Sequence, residues 1–268
     1  MIPGTALLFC PADRGDRYAK AAKAADGVIL DLEDAVAPAD KPAAREQLAA
    51  AVRSNVLDPS AVIVRVNPHG TPDHALDLAA VGETPYRTLM LAKTESPAQL
   101  DALGEAGYRV LALCETVMGV ERSFEIAAHP ATIGLMWGAE DLIASMGGRS
   151  SRHDDGRYRD AARYARARVL FAAKAAGKLA IDSVYMSIPD LDGLREEAVD
   201  AAASGFDAKA AIHPTQAETI RAGFGATPEA RAWAQRVLAE ATRQPGVFSF
   251  EGQMVDEPVL RQARAMLD

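Results

Sequence analysis

Glu115 and Asp141 close two consecutive apolar runs, residues 109–116 and 132–141. Two carboxylates at neighbouring strand ends, completed by water and substrate oxygens, suit an octahedral Mg²⁺. No histidine lies near either in sequence, which disfavours zinc. The alternative is a pair of strand-end carboxylates tied up in salt bridges. Arg65 sits inside Val62-Ile63-Val64-Arg65-Val66. A charge in so apolar a strand needs a partner. Asp31 or Glu33 can supply it, or the carboxylate or enolate oxygen of a substrate. Asp31, Glu33 and Asp34 form a dense acidic cluster that cannot ionise cheaply without cations, and Arg14, Lys93 and Arg65 are the candidates. Such a cluster is expected to orient other groups rather than to react.

Other segments carry weaker signals. Asn67, Lys93, Asp182 and His213 also stand at the ends of apolar runs. A polar end on nearly every run points to an enzyme whose groups converge on one face. His213, before Pro214, reads as a structural strand-end residue. The arginine-rich stretch 149–168 begins with Gly147-Gly148-Arg149-Ser150-Ser151-Arg152. It can meet an anionic cofactor tail or another subunit, but Asp154, Asp155 and Asp160 favour a solvated, salt-bridged helix face. Asp256 precedes Glu257-Pro258 and an apolar helix, the local signature of an N-cap.

These residues need a scaffold that brings strand ends together. Short β-rich runs at 6–11, 27–34, 62–68, 88–93, 109–116, 132–141, 179–185 and 208–214 alternate with amphipathic stretches such as 41–52, 97–106 and 158–176. Alternation of this kind predicts βαβ units and a parallel sheet. About eight units in 268 residues favour a closed (β/α)₈ TIM barrel over an open doubly wound sheet. The open sheet would call for a glycine-rich turn after the first strand, where Phe9-Cys10-Pro11-Ala12-Asp13 stands instead. Residues 1–225 are expected to form the barrel and 226–268 a C-terminal helical extension. That extension, with a helix at 228–243, a loop at 244–255 and a last helix from Glu257 or Pro258, is a lid or an arm onto a neighbouring subunit. Alanine-rich segments 18–25 and 161–176 read as helices with small faces that pack closely on the sheet.

Composition narrows the partners. A formal charge of −8 argues against nucleic acid and anionic membranes. The two cysteines, Cys10 and Cys114, can build no disulfide framework, and no run has the shape of a signal peptide or the length of a membrane span. The expectation is a cytoplasmic protein.

The strand-end residues belong to longer motifs. They are Leu8-Phe9-Cys10-Pro11-Ala12-Asp13-Arg14, Val28-Ile29-Leu30-Asp31-Leu32-Glu33-Asp34-Ala35-Val36 with Lys41 and Ala44-Arg45, and Val64-Arg65-Val66-Asn67. Then come Leu113-Cys114-Glu115-Thr116, Trp137-Gly138-Ala139-Glu140-Asp141-Leu142, Ala211-Ile212-His213-Pro214-Thr215-Gln216 and Phe250-Glu251-Gly252-Gln253-Met254-Val255-Asp256. Taken in order over essentially the whole chain, they resemble the HpcH/HpaI aldolase superfamily, in its citrate lyase β-subunit-like branch of stand-alone β-hydroxyacyl-CoA lyases of actinobacterial type.

The resemblance implies a TIM barrel, usually trimeric, with Mg²⁺ on Glu115 and Asp141. It implies that Arg65 meets the substrate carboxylate or enolate oxygen, with Glu115 and Glu140 also on the substrate. Phe9, Arg14, Lys20, Ile212 and His213 would line the coenzyme A side. Asp256 would reach the active site of a neighbouring subunit as an acid/base, which overrides the N-cap preference without excluding it. The implied reaction is a reversible Claisen-type cleavage of malyl-, citramalyl- or hydroxymethylglutaryl-type CoA thioesters to acetyl-CoA, or another acyl-CoA, and a keto acid. Malate synthase or thioesterase side activity is compatible with Asp256. Two other enzyme readings stay open: the β subunit of a citrate lyase complex using acyl-carrier-protein thioesters, and a type II aldolase acting on free hydroxy-keto acids.

Overall fold

The computed structural model describes residues 2–267. Eight strands form the sheet: β1 (Ala6–Pro11), β2 (Gly27–Asp31), β3 (Val62–Val66), β4 (Thr88–Leu91), β5 (Arg109–Cys114), β6 (Thr132–Trp137), β7 (Leu179–Asp182) and β8 (Ala208–Ala211). Each pairs in parallel with the next, and β8 closes on β1 through Leu7↔Ala210 and Leu8↔Ala211. Every expected apolar run contains one strand. Most strands stop short of the run's polar end, because those residues turn into the loops of the barrel mouth or, at Glu140 and Asp141, into the first turn of the helix Ala139–Ser145.

The period-two alternation of a strand decides what each residue faces. Leu7, Ile29, Ile63, Met90, Leu111, Leu113, Met136, Ile181, Ala208 and Ala210 form the cluster inside the barrel. Their neighbours Leu8, Leu30, Val64, Leu89, Ala112 and Leu135 join the second cluster, between sheet and helices. Alanines supply the close approach there: Ala162, Ala165, Ala172 and Ala173 are buried on the helix Asp160–Ala175. The helix Lys41–Ser54 starts with Pro42 in its first turn and stops at Asn55, whose φ of 50° breaks the helix. Among the described residues no helix is long and apolar enough to cross a membrane, and both cysteines are buried and unpaired.

Alternation also corrects one expectation. Asp182 does not join the groups at the mouth. Ile181 takes the inward position on β7, so Asp182 points out into the helical layer. There it accepts from Trp137 Nε1 (2.7 Å), Arg166 Nε (2.9 Å) and Lys209 Nζ (2.9 Å). Trp137, Asp182 and Lys209 are all essentially inaccessible to solvent. Burial alone would raise the Asp182 pKa, but Lys209 and Arg166 outweigh it and hold the carboxyl at about 2. Because the folded value lies below the unfolded one, the stabilisation is complete above about pH 4 and disappears as pH falls through about 2; a shift of this size corresponds to roughly 2–3 kcal/mol. Asp182→Asn is expected to cost about 3–5 kcal/mol near neutrality, since it strands two buried cations. Urea unfolding of both proteins should show that gap narrowing between pH 4 and pH 2.5. A gap independent of pH would refute the ion-pair account.

The C-terminal segment has its own small core of Ala234, Val237, Phe248, Val255, Leu260 and Ala263. It comprises the helix Pro228–Ala241, an antiparallel hairpin of Phe248–Phe250 with Gln253–Val255, and the helix Glu257–Ala265. The hairpin replaces part of the expected loop 244–255. Its turn residues, Glu251 (φ 48°) and Gly252 (φ 80°), are both left-handed, as a two-residue hairpin turn requires.

Candidate active site

A cavity of about 420 Å³ opens at the C-terminal mouth of the barrel. Phe9, Asp31, Arg65, Leu113, Glu115, Met136, Gly138, Ser183 and Ile212 line it, together with Asp34, Glu140, Asp141, Val184 and Met186. Its barrel-derived lining follows the same inward alternation as the barrel core.

Arg65 is the most constrained group. Asp31 and Arg65 are paired across β2 and β3, and the guanidinium binds Asp31 in a bidentate fork (Nε to Oδ1 2.8 Å, Nη2 to Oδ2 2.6 Å). Its Nη1 lies 3.0 Å from Glu33 Oε2, and its Cζ lies 4.9 Å from the Phe9 ring centre. Burial would lower the Arg65 pKa, but Asp31 and Glu33 more than reverse this. The protein-carboxylate alternative for Arg65 is therefore met by Asp31, which accepts two guanidinium N–H groups, with Glu33 as a second ion-pair partner, while the guanidinium also lines the cavity. Asp31 is also fixed by the backbone N–H of Glu33 (2.9 Å).

Glu115 and Asp141 do come together. Thr116 ends β5 by capping the helix Val117–Glu121, accepting from Gly119 N at 3.1 Å, which leaves Glu115 at the rim. Gly138, after β6, passes so close that a β-carbon there would lie 2.6 Å from Glu115 Oε2. Glu115 is buried and Asp141 partly exposed. Burial, and then the nearby Asp141, push the Glu115 carboxyl up to about 8 against the pull of Arg65 and Lys93. A carboxylate pair in this state takes up a cation readily. Lys93 reaches it: Nζ is 3.4 Å from Asp141 and 4.0 Å from Glu115, and it also pairs with Glu33 and with Asp34 (3.2 Å). Burial raises the Glu33 pKa against the pull of Arg65 and Lys93. No cluster of three or more histidine, cysteine or acidic residues has metal-holding geometry among the described residues. A site with two protein carboxylates, and with room for water and substrate oxygens, fits a hard octahedral ion such as Mg²⁺ rather than zinc.

The remaining candidates divide. Glu140 lines the cavity and accepts from Ser151 Oγ at 2.6 Å. Phe9 and Ile212 line it; Arg14, Lys20 and His213 do not. Arg14 is half-exposed and bridged to Asp16 at 3.0 Å. Lys20 is exposed on the helix Tyr18–Ala24. His213 Nδ1 lies 2.8 Å from Thr215 Oγ1, in the turn before the helix Gln216–Phe224. Asp256 is the N-cap of the last helix, accepting from Val259 N at 3.3 Å, and is not part of this chain's cavity lining.

Sequence reasoning passed over the apolar wall of Leu113, Met136, Val184 and Met186. Strand alternation was the available signal for Leu113 and Met136. Only the folded loop brings Met186 in. The arginine-rich stretch lies beside a larger outside groove of about 900 Å³. Its arginines are mostly paired, Arg157 with Asp155 (2.7 Å) and Arg163 with Asp160 (3.4 Å). Arg152, paired with Glu197, and Arg166, anchored on buried Asp182, are both largely covered and depart from a solvated face.

The chain matches the HpcH/HpaI aldolase/citrate lyase family over residues 5–214 and belongs to it. It is 54% identical over 264 residues to a citrate lyase subunit beta-like protein of Mycobacterium tuberculosis, covering 98% of this chain and 94% of that one. A (3S)-malyl-CoA thioesterase of Cereibacter sphaeroides is 34% identical over 272 residues, 99% of this chain and 94% of the relative. The crystal structure of the M. tuberculosis protein CitE, in complex with magnesium, acetoacetate and coenzyme A, superposes with a TM-score of 0.94 at 54% identity, covering 99% of this chain and 97% of that one.

Proposed function

We propose that this protein is a magnesium-dependent lyase that makes and breaks a carbon–carbon bond in β-hydroxyacyl-CoA thioesters of the malyl, citramalyl or hydroxymethylglutaryl type. The observation that carries the proposal is the pairing of buried Glu115 with partly exposed Asp141 in the same cavity as the bidentate Arg65–Asp31 pair. The magnesium, acetoacetate and coenzyme A bound by the M. tuberculosis relative support it.

Glu115 and Asp141 would hold the metal. When bound, Mg²⁺ would supply Lewis-acid polarisation of the oxygens of the non-CoA half. Arg65, fixed by Asp31 and Glu33, presents its free N–H groups to the substrate carboxylate or to the oxygen that gains charge as the bond breaks. Its geometry is set before the substrate arrives, so little reorganisation is needed in the transition state. Glu140 would help to position the substrate. Phe9 and Ile212 would meet the coenzyme A end inside the cavity, and Arg14, Lys20 and His213, outside its lining, would meet only the outer part of the cofactor. Asp256 would act as the acid that protonates the enolate carbon, delivered by the C-terminal extension of a neighbouring subunit in a homotrimer. The separate apolar cluster of that extension supports residues 226–268 as a unit distinct from the barrel of residues 1–225. The partners are then small molecules in the cytoplasm. Hydrolysis of the thioester as a second activity is favoured by the likeness to the malyl-CoA thioesterase.

The test is a panel of malyl-, citramalyl- and hydroxymethylglutaryl-CoA, with Mg²⁺ or with chelator, following acyl-CoA and keto-acid release. Metal-dependent cleavage by the purified chain is expected. Cleavage of free hydroxy-keto acids without CoA, or only with acyl-carrier partners, would overturn the proposal in favour of the aldolase or the citrate lyase subunit.

A further inference from the structure

Lys93 is placed with unusual care. It follows β4 with a φ of 50°, in the left-handed region where glycine alone carries no penalty. The chain on both sides is pinned: the Ala92 N–H donates to Val66 O (3.4 Å) and the Thr94 N–H to Leu113 O (3.0 Å). So held, the Lys93 N–H donates to Glu115 Oε1 at 3.1 Å. The side chain then spans the mouth, with Nζ bonded to Glu33, 3.2 Å from Asp34, 3.4 Å from Asp141 and 4.0 Å from Glu115. Arg65, the other cation at the mouth, forms its ion pairs with Asp31 and Glu33. Among the described residues Lys93 is therefore the side chain that forms ion pairs with Glu115 and Asp141.

We infer that Lys93 is a built-in counter-ion, sharing its charge among Glu33, Asp34, Asp141 and Glu115 while no divalent ion is bound and giving up Glu115 and Asp141 when one enters. The inference rests on the metal assignment proposed above. Two neighbouring carboxylates repel each other, and a cation placed between them offsets that repulsion. A flexible ammonium can supply that charge and then leave, which a planar, forked guanidinium cannot do as easily. Nζ is already bonded to Glu33 and Asp34, so those contacts hold it when it moves off the other two carboxylates. The exchange makes the site readable by a divalent ion yet keeps that ion's affinity moderate, because each binding event displaces a resident charge. Lys93 is thus a positioning residue, and its effect appears in metal affinity before any turnover.

The experiment uses Mn²⁺ as the probe, with binding to the whole chain followed by electron paramagnetic resonance in wild type, Lys93→Met, Lys93→Arg and Asp141→Asn, without substrate. Wild type should bind Mn²⁺ and Asp141→Asn should lose most of that binding. Lys93→Met should bind about ten-fold more tightly, the scale of one ammonium removed from a partly hydrated site, and Lys93→Arg, which keeps the charge but withdraws less easily, should bind no more tightly than wild type. In chelator Lys93→Met should melt below wild type and gain more on adding Mn²⁺. Should Lys93→Met fold only with Mn²⁺, that recovery is the same result; failure to recover overturns the inference. Affinity of Lys93→Met equal to or weaker than wild type also overturns it while leaving the metal assignment intact. Absence of Mn²⁺ binding in wild type would overturn both.

Discussion

Glu115→Gln and Asp141→Asn should each lower carbon–carbon cleavage at least about a thousandfold, the scale of removing a preorganised electrostatic group from a transition state. The two substitutions should differ in stability. Glu115 is buried, and its carboxyl is pushed up to about 8 by burial and Asp141. With the folded value above the unfolded one, its ionised form costs the metal-free protein stability as pH rises from about 5 to 8. Glu115→Gln removes that cost, so in chelator it should melt no lower than wild type while being inactive. Asp141, partly exposed beside Lys93, should leave stability nearly unchanged. Gly138→Ala offers an independent check. Its β-carbon would meet Glu115 at 2.6 Å, so it should displace the carboxylate and lose activity with both acids still present. Steady-state rates over a range of Mg²⁺, with melting curves with and without chelator, decide the matter. Wild-type turnover in either acid variant would remove the pair from the mechanism.

Arg65→Met is expected to cost about 3–5 kcal/mol of stability, because Asp31 and Glu33 would remain buried without their cation. It should also be inactive, but that result alone cannot separate folding from chemistry. Arg65→Lys can. Lysine keeps the charge but cannot form the bidentate fork to Asp31 and still present further N–H groups to a substrate. Its stability loss should therefore be smaller, while kcat falls about 10²–10³-fold. Urea unfolding and steady-state kinetics on the same preparations test this. An Arg65→Lys enzyme with wild-type kcat would reduce Arg65 to a structural ion pair.

Much of this arrangement could be read along the chain. Eight apolar runs became eight strands, since alternation of β-rich and helical patterns has few compact solutions, and a closed parallel barrel is one of them. Position at a strand end was enough to pick out Asp31, Arg65, Glu115 and Asp141, because the barrel carries all such ends to one face. Phe9 and Ile212 came from the family resemblance and not from this rule. Where it failed, it failed by parity or by reach. Asp182 is one residue out of phase with the lumen, so a group expected at the mouth became the centre of a buried ion network behind it. The hairpin from Phe248 to Val255 was hidden because its turn uses Glu251-Gly252 in place of the usual Asn-Gly or Asp-Gly pair.

Residue type and spacing by themselves determined the barrel and the acidic and basic groups at its rim, because period-two strands and polar strand ends are local properties. Tertiary structure alone decided how those groups share charge. Arg65 satisfying Asp31 and Glu33 together, Gly138 pressed against Glu115, and Lys93 held in a left-handed turn among four carboxylates all arise between segments tens of residues apart. Their distances, and hence their electrostatic coupling, exist only once the sheet has closed.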